Sequence, residues 1–298
     1  MMTDYQNLGG MISTVVTPFT EQDEVDYDLL RAEVRYLLDS GISAICACGS
    51  TGEGQTLSLE ESAEIIRVVA EEVDGRLPVI AGVIQNSTRQ AIRYAQAVRD
   101  AGADIIQATP VHYVFKPGVD EQVTHFKLIA QETGLPIILY NVVPWALLGL
   151  DVIDRLAAEV PEVISIKQSG GDMHLLADIL HSHGERFRVL AALDDLHYPA
   201  FVLGAHGALA AIPTVTPHLS VELWDAVQRG DHTEALKLHN RILTVWHAID
   251  RPNLPATIKA ALRLLGRDGG RPREPFSPAT EDDYARISTA LRDAGLIE

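Results

Sequence analysis

The chain has 298 residues, 47% of them hydrophobic and 22% charged, a composition that can bury one large core. Its formal net charge of -17 argues against partners that select basic surfaces, so neither nucleic acid nor an anionic membrane face is expected. The sequence shows no secretory leader pattern and no apolar run of membrane-spanning length, so a cytoplasmic protein is the expectation.

In chain order, residues 11–16 read as a strand that runs into Thr17-Pro18-Phe19. Leu29, Leu30, Val34, Leu37 and Leu38 then repeat at helical spacing over 26–38. Residues 42–48 form the next strand, closed by the turn Gly49-Ser50-Thr51-Gly52-Glu53-Gly54, and Ser58 with Glu61 has capping-box spacing ahead of a helix to residue 73. Cys46 and Cys48 alternate along that strand, which places both small thiols on one face of the core, too far apart to bridge each other easily. The third pair is a strand over 79–83 and a helix opened by Ser87 and Gln90, again at capping-box spacing. Strands over 104–108 and 136–140 follow, with helices from 120 and over 151–160. A strand over 163–167 precedes a helix from about 172. Strands over 187–191 and 206–212 flank a helix around 199–203, and Thr216-Pro217 opens the eighth helix.

Eight strand-helix repeats at roughly thirty-residue spacing, in a chain somewhat longer than the ~250 residues usual for the type, predict an α/β fold, a (β/α)8 TIM barrel. Beyond Gly230 only helical patterns recur, over 231–248, 254–265 and 280–291. We therefore expect a barrel catalytic domain over 1–230 and a C-terminal helical domain, a three-helix appendage, over 231–298. The proline- and arginine-rich segment 269–275 reads as a loop without functional signal.

A barrel of this kind builds its site at the carboxyl ends of its strands. Strand two ends in Gly49, Ser50 and Thr51, where glycines let backbone amides approach an anion and two hydroxyls add donors, a plausible carboxylate cradle. Strand five ends in Tyr140, and its barrel neighbour, strand six, ends in Lys167. The run 163–167 reads as a strand buried on both faces. Burying an ammonium there without a partner is costly, which favours a neutral, nucleophilic amine. Such a lysine is the starting point for Schiff-base chemistry on a carbonyl, and a neighbouring phenol can relay the protons of carbinolamine formation and dehydration. Taken alone, Lys167 just outside the strand with its head in water is an equal reading. Position favours the site: of five lysines, Lys116, Lys127, Lys237 and Lys259 fall in a loop or in helical patterns, and only Lys167 ends a strand.

Gly49-Ser50-Thr51-Gly52-Glu53, Tyr140-Asn141-Val142 and Ile166-Lys167, in that order and spacing, resemble the dihydrodipicolinate synthase and N-acetylneuraminate lyase family. Thr17-Pro18-Phe19, Gly204-Ala205 and Asn253-Leu254-Pro255 extend the resemblance over nearly the whole chain. It implies a Schiff-base-forming class I aldolase or lyase acting on pyruvate or a related 2-oxo acid. Lys167 would be the Schiff-base lysine, Tyr140 the relaying tyrosine, Ser50 and Thr51 with Gly49 the carboxylate binders, and the Leu209 carbonyl a strand-eight group facing the site. It also implies a homo-oligomer, tetramer or dimer. No cofactor and no metal are expected, since His181 and His183 fall at a helix end and His206 at the start of a strand rather than in one cluster.

The pattern departs from the family in the loops. Synthases that make dihydrodipicolinate carry an arginine soon after the tyrosine motif, whereas this chain reads Val143-Pro144-Trp145-Ala146-Leu147-Leu148. After strand four stands Pro110-Val111-His112-Tyr113-Val114-Phe115-Lys116-Pro117, in which Tyr113, or else His112, would fill the second relay position. Asp194-Asp195 is shifted by one, behind Ala191-Ala192 in place of a serine-glycine pair. Trp145, Phe115 and Leu147 suggest a second-substrate pocket for an apolar or aromatic aldehyde, with surface or interface packing equally open for each. The expectation is thus a dihydrodipicolinate-synthase-like enzyme whose second substrate is other than aspartate semialdehyde. Alternatives are a 2-oxo-3-deoxy sugar acid aldolase or dehydratase, a hydratase-aldolase on a bulkier substrate, and, in another class, a non-catalytic 2-oxo acid binding barrel.

Overall fold

The computed structural model describes residues 5–170 and 173–298. Gly171 and Asp172, expected in the turn after Lys167 and at the start of the next helix, lie outside the described residues. The strands are β1 (Gly10–Thr14), β2 (Ala44–Ala47), β3 (Val79–Val83), β4 (Ile105–Ala108), β5 (Ile137–Asn141), β6 (Val163–Gln168), β7 (Arg188–Ala191) and β8 (Gly207–Ala210). They pair in parallel in sequence order, and β8 closes onto β1 through Gly10↔Gly207 and Ile12↔Leu209. Between them run α1 (Tyr27–Leu38), α2 (Leu59–Val73), α3 (Thr88–Asp100), α4 (Val119–Thr133), α5 (Leu150–Glu159), α6 (Met173–His183) and α7 (His197–Val202). After β8 come the short α8 (Ile212–Val215), α9 (Pro217–Gln228) and the C-terminal α10 (His232–Ile249), α11 (Leu254–Leu264) and α12 (Glu281–Asp293). This is the (β/α)8 barrel with C-terminal helices that the repeat predicts.

Local chemistry sets the boundaries. Asp26 caps α1 by accepting from the backbone of Asp28 and Leu29, and Ser58 with Glu61 closes a full capping box on α2. Ser87 caps α3 through the Gln90 amide, but its hydroxyl bonds the Gln90 side chain, so the expected reciprocal box is only half formed. In β8 the backbone leaves the sheet two residues earlier than expected, because Ile212–Val215 coils into α8.

Two buried layers follow from strand alternation. Ile12, Ala44, Cys46, Ile80, Ile105, Ile138, Leu190 and Leu209 fill the barrel interior, while the opposite strand faces pack against the helices. The cysteines do not share a face as expected: Cys46 lies in the interior, and Cys48 lies in the outer layer with Sγ 3.8 Å from the Ser62 carbonyl oxygen. Cys48 adopts φ +57, outside the strand region, so the two-residue alternation ends there and the chain turns over. The outer layer continues without a break into Ile242, Ile258 and Leu291 of the C-terminal helices. Among the described residues, no helix is long and apolar enough to cross a membrane.

Candidate active site

Tyr140 and Lys167 are partners in the β5–β6 ladder and therefore project to the same side of the sheet. Ile138, two residues before Tyr140, lies in the interior layer, so that side is the barrel axis. The Lys167 Nζ sits 4.1 Å from the centroid of the Tyr140 ring, and the Tyr140 hydroxyl is 3.1 Å from Ser50 Oγ. Cradle, phenol and amine thus form one continuous contact at the carboxyl ends of three strands. Lys167 is only 5% exposed, which decides against the solvated reading. Among the described residues nothing offers its Nζ a hydrogen-bond acceptor.

The cradle loop is held from below and from outside. A Cβ on Gly82 of β3 would lie 2.2 Å from the Cys48 carbonyl oxygen and 2.8 Å from Gly49 N, so only glycine lets the loop backbone rest on the barrel rim. From outside, fully buried Glu53, itself at φ +55, receives Lys259 Nζ of α11 at 2.6 Å and the Arg273 backbone N–H at 2.9 Å. Lys259 also donates to the carbonyls of Thr17 and Arg271. The segment read as a loop without signal is therefore a clamp. Arg271 pairs with Phe19, and the Arg273 guanidinium bonds Glu61 and lies 4.2 Å from the Phe19 ring centroid.

The rim around β4 and β5 is different in kind. Tyr113 is 75% exposed and its backbone N–H is held by Asn86 Oδ1, while His112 turns its ring to the Pro110 carbonyl. Trp145 donates its indole N–H to the His112 carbonyl at 2.8 Å, and Lys116 donates to the Leu147 carbonyl at 2.7 Å, so the two loops brace each other. Asn141 anchors the second loop by exchanging bonds with Leu148, its amide also donating to Gln168 Oε1. Tyr113, Val114, Phe115 and Trp145 leave an exposed apolar patch beside the mouth.

Residues 7–294 match the model of the dihydrodipicolinate synthetase family. The chain belongs to that family. A 4-hydroxy-tetrahydrodipicolinate synthase of Methanopyrus kandleri is 33% identical over 291 residues, 97% of each chain. The crystal structure of dihydrodipicolinate synthase from Aquifex aeolicus superposes with a TM-score of 0.91 at 30% identity, covering 97% of this chain and 99% of that one. That of the chloride-inhibited Acinetobacter baumannii dihydrodipicolinate synthase complexed with pyruvate does so with the same score at 31% identity, over 97% and 100%. The chain is accordingly a lyase of the class I aldolase type, a pyruvate-utilising enzyme working through a lysine Schiff base.

Within this family member, three groups near the site were not assigned to it from the sequence, although Cys46 and Asp194 were noted there in other roles. Asp194, after β7, is buried and accepts from Ile212 N at 2.5 Å; burial pushes its carboxyl up to about 7 against the pull of that amide and of Lys167. The Cys46 thiol, beneath the cradle, is pushed up to about 11 by burial, with Lys167 pulling it back. Gln107 of β4 is fully buried, and neither of its amide atoms has a hydrogen-bond partner among the described residues. The last signal was legible as a polar residue two positions beyond an interior isoleucine, but which way a four-residue strand faces is settled only by its neighbours.

Proposed function

We propose that Lys167 attacks the C2 carbonyl of pyruvate or a closely related 2-oxo acid and carries it as an iminium, with Tyr140 relaying protons between Nζ and the departing oxygen. Ser50, Thr51 and the Gly49 backbone hold the carboxylate, and the Leu209 carbonyl lines the opposite wall. The iminium withdraws electrons from C3, so loss of a C3 proton leaves an enamine that attacks an aldehyde, and in the reverse direction breaking the C3–C4 bond of the iminium adduct releases the aldehyde and leaves the same enamine. The carrying observation is the unbroken contact from Ser50 Oγ through the Tyr140 phenol to the buried Lys167 amine. Treating the enzyme with pyruvate and borohydride should add a reduced pyruvyl mass to the peptide bearing Lys167; adduct absent, or on another lysine, ends the proposal.

For the second substrate we favour an aldehyde without a distal carboxylate, other than aspartate semialdehyde. What supports it is the rim: loops 110–118 and 142–149 hold a single Lys or Arg, Lys116, and it is bonded to the Leu147 carbonyl. A distal carboxylate is ordinarily met by a bidentate arginine. The synthase names of relatives near one-third identity favour the other reading, condensation with aspartate semialdehyde. Turnover of pyruvate against a panel of aldehydes and 2-oxo-3-deoxy sugar acids separates the two, and efficient use of aspartate semialdehyde alone would refute ours. In the same reading, 1–230 is the catalytic unit and 231–298 the helical one, Tyr113 serves as second relay, and the apolar rim packs against a second copy in a homo-oligomer.

A further inference from the structure

Ile105 belongs to the interior layer, and the two-residue repeat of β4 puts Gln107 on the same side, one step nearer the mouth. Its ladder partners are Gly82 and Ile138, so the side chain lies between the strand that supports the cradle loop and the strand that carries Tyr140. Gln107 Nε2 is 3.7 Å from where a Gly49 Cβ would project, and Cys46 Sγ is equally close to that point. The amide is therefore directly beneath the loop that receives the carboxylate. Fully buried amides with both atoms unpartnered are rare in folded proteins, because leaving such groups without hydrogen bonds is expensive. Here Nε2 and Oε1 are both unpartnered at zero exposure.

The surroundings favour an anion. Ser50 Oγ is already engaged with the Tyr140 hydroxyl, the Cys46 thiol is kept protonated by burial, and the charge that Cys46 senses is that of Lys167. A donor aimed at the underside of the cradle suits a ligand oxygen bearing negative charge. We propose that Gln107 is a further substrate-binding residue, its Nε2 donating to the carboxylate of the 2-oxo acid from the barrel floor. This rests on the Schiff-base reading of the site.

The test is borohydride trapping of Lys167 as a function of pyruvate concentration in the wild-type enzyme, Gln107→Leu and Gln107→Glu. Loss of one charge-assisted donor should raise the half-saturating pyruvate concentration of Gln107→Leu about tenfold while leaving the trapping rate at saturation within about twofold. Gln107→Glu, which sets a carboxylate against the substrate's, should raise it further, with partial recovery as pH falls. A merely structural role predicts a lower saturating rate with unchanged half-saturation, and that result overturns the proposal, as does a pyruvate dependence equal to wild type. Should Gln107→Leu fail to fold, Gln107→Met, closer in shape, carries the same expectations. No adduct on wild-type Lys167 would refute the Schiff-base reading and this inference with it; adduct with an unaltered Gln107→Leu dependence refutes the inference alone.

Discussion

Two lysines in this chain are almost equally buried, Lys167 at 5% and Lys259 at 3% exposure, and their surroundings are opposites. Lys259 is saturated: its three protons go to Glu53 Oε1 and to the carbonyls of Thr17 and Arg271, and burial lowers its ammonium while Glu53 raises it. Lys167 faces the ring of Tyr140, and no described residue accepts from its Nζ. Burial alone therefore does not mark a reactive lysine. What differs is whether the amine's hydrogen-bonding capacity is spent on the protein or left for a ligand. The saturated lysine serves the other one, since Glu53 belongs to the loop whose Ser50 reaches Tyr140.

The sharpest break between them is Lys167→Ala. It should abolish the pyruvyl adduct and lower kcat/KM by at least about 10^3-fold with little change in melting temperature. A mutant that retains the adduct on another lysine would erase the distinction. Lys259→Ala should do the reverse, costing about 3–5 kcal/mol of stability by stranding the Glu53 carboxylate, measured by urea unfolding. The paired change Glu53→Gln with Lys259→Met should recover much of that loss, and an additive loss would show that the two side chains do not act as a unit. Tyr140→Phe keeps the ring against Lys167 but removes the hydroxyl. We expect about a 10^2-fold slower trapping rate without a change in half-saturating pyruvate.

Asp194 tests the charge balance beside Lys167. Its folded carboxyl holds a proton to about 7, well above its ordinary range, so its favourable contribution to stability is present at acid pH and is lost as pH rises toward and through 7. Lys167 and Asp195 are the charged groups acting on it. Asp194→Asn should therefore gain on wild type in urea unfolding between pH 4 and 8, by up to a few kcal/mol. A difference that stays constant with pH would contradict the raised carboxyl. The smallest effect is expected at the rim, where Trp145→Ala should shift stability by less than about 0.5 kcal/mol and alter KM for the aldehyde but not for pyruvate.

The strand-helix repeat, the capping box at Ser58 and the order of strand ends were all legible from residue spacing, because periodicity and local hydrogen bonding are properties of neighbours in the chain. So was the singular position of Lys167 among five lysines. Where spacing misled, a tertiary demand had replaced the local rule. The cysteine alternation failed because Cys48 takes φ +57 to start the loop over Gly82. The segment 269–275 looked idle because its partners, Glu53, Glu61 and Phe19, lie over two hundred residues away.

The sequence by itself thus determined the architecture and nominated the amine, the phenol and the cradle. Only the tertiary structure decided which buried lysine lies over the Tyr140 ring, that Ser50 touches Tyr140, and that Gln107 lies unpartnered beneath the cradle loop. The reason is physical: alternation fixes which residues share a face, but hydrogen-bond satisfaction depends on what distant segments bring to that face once the barrel has closed.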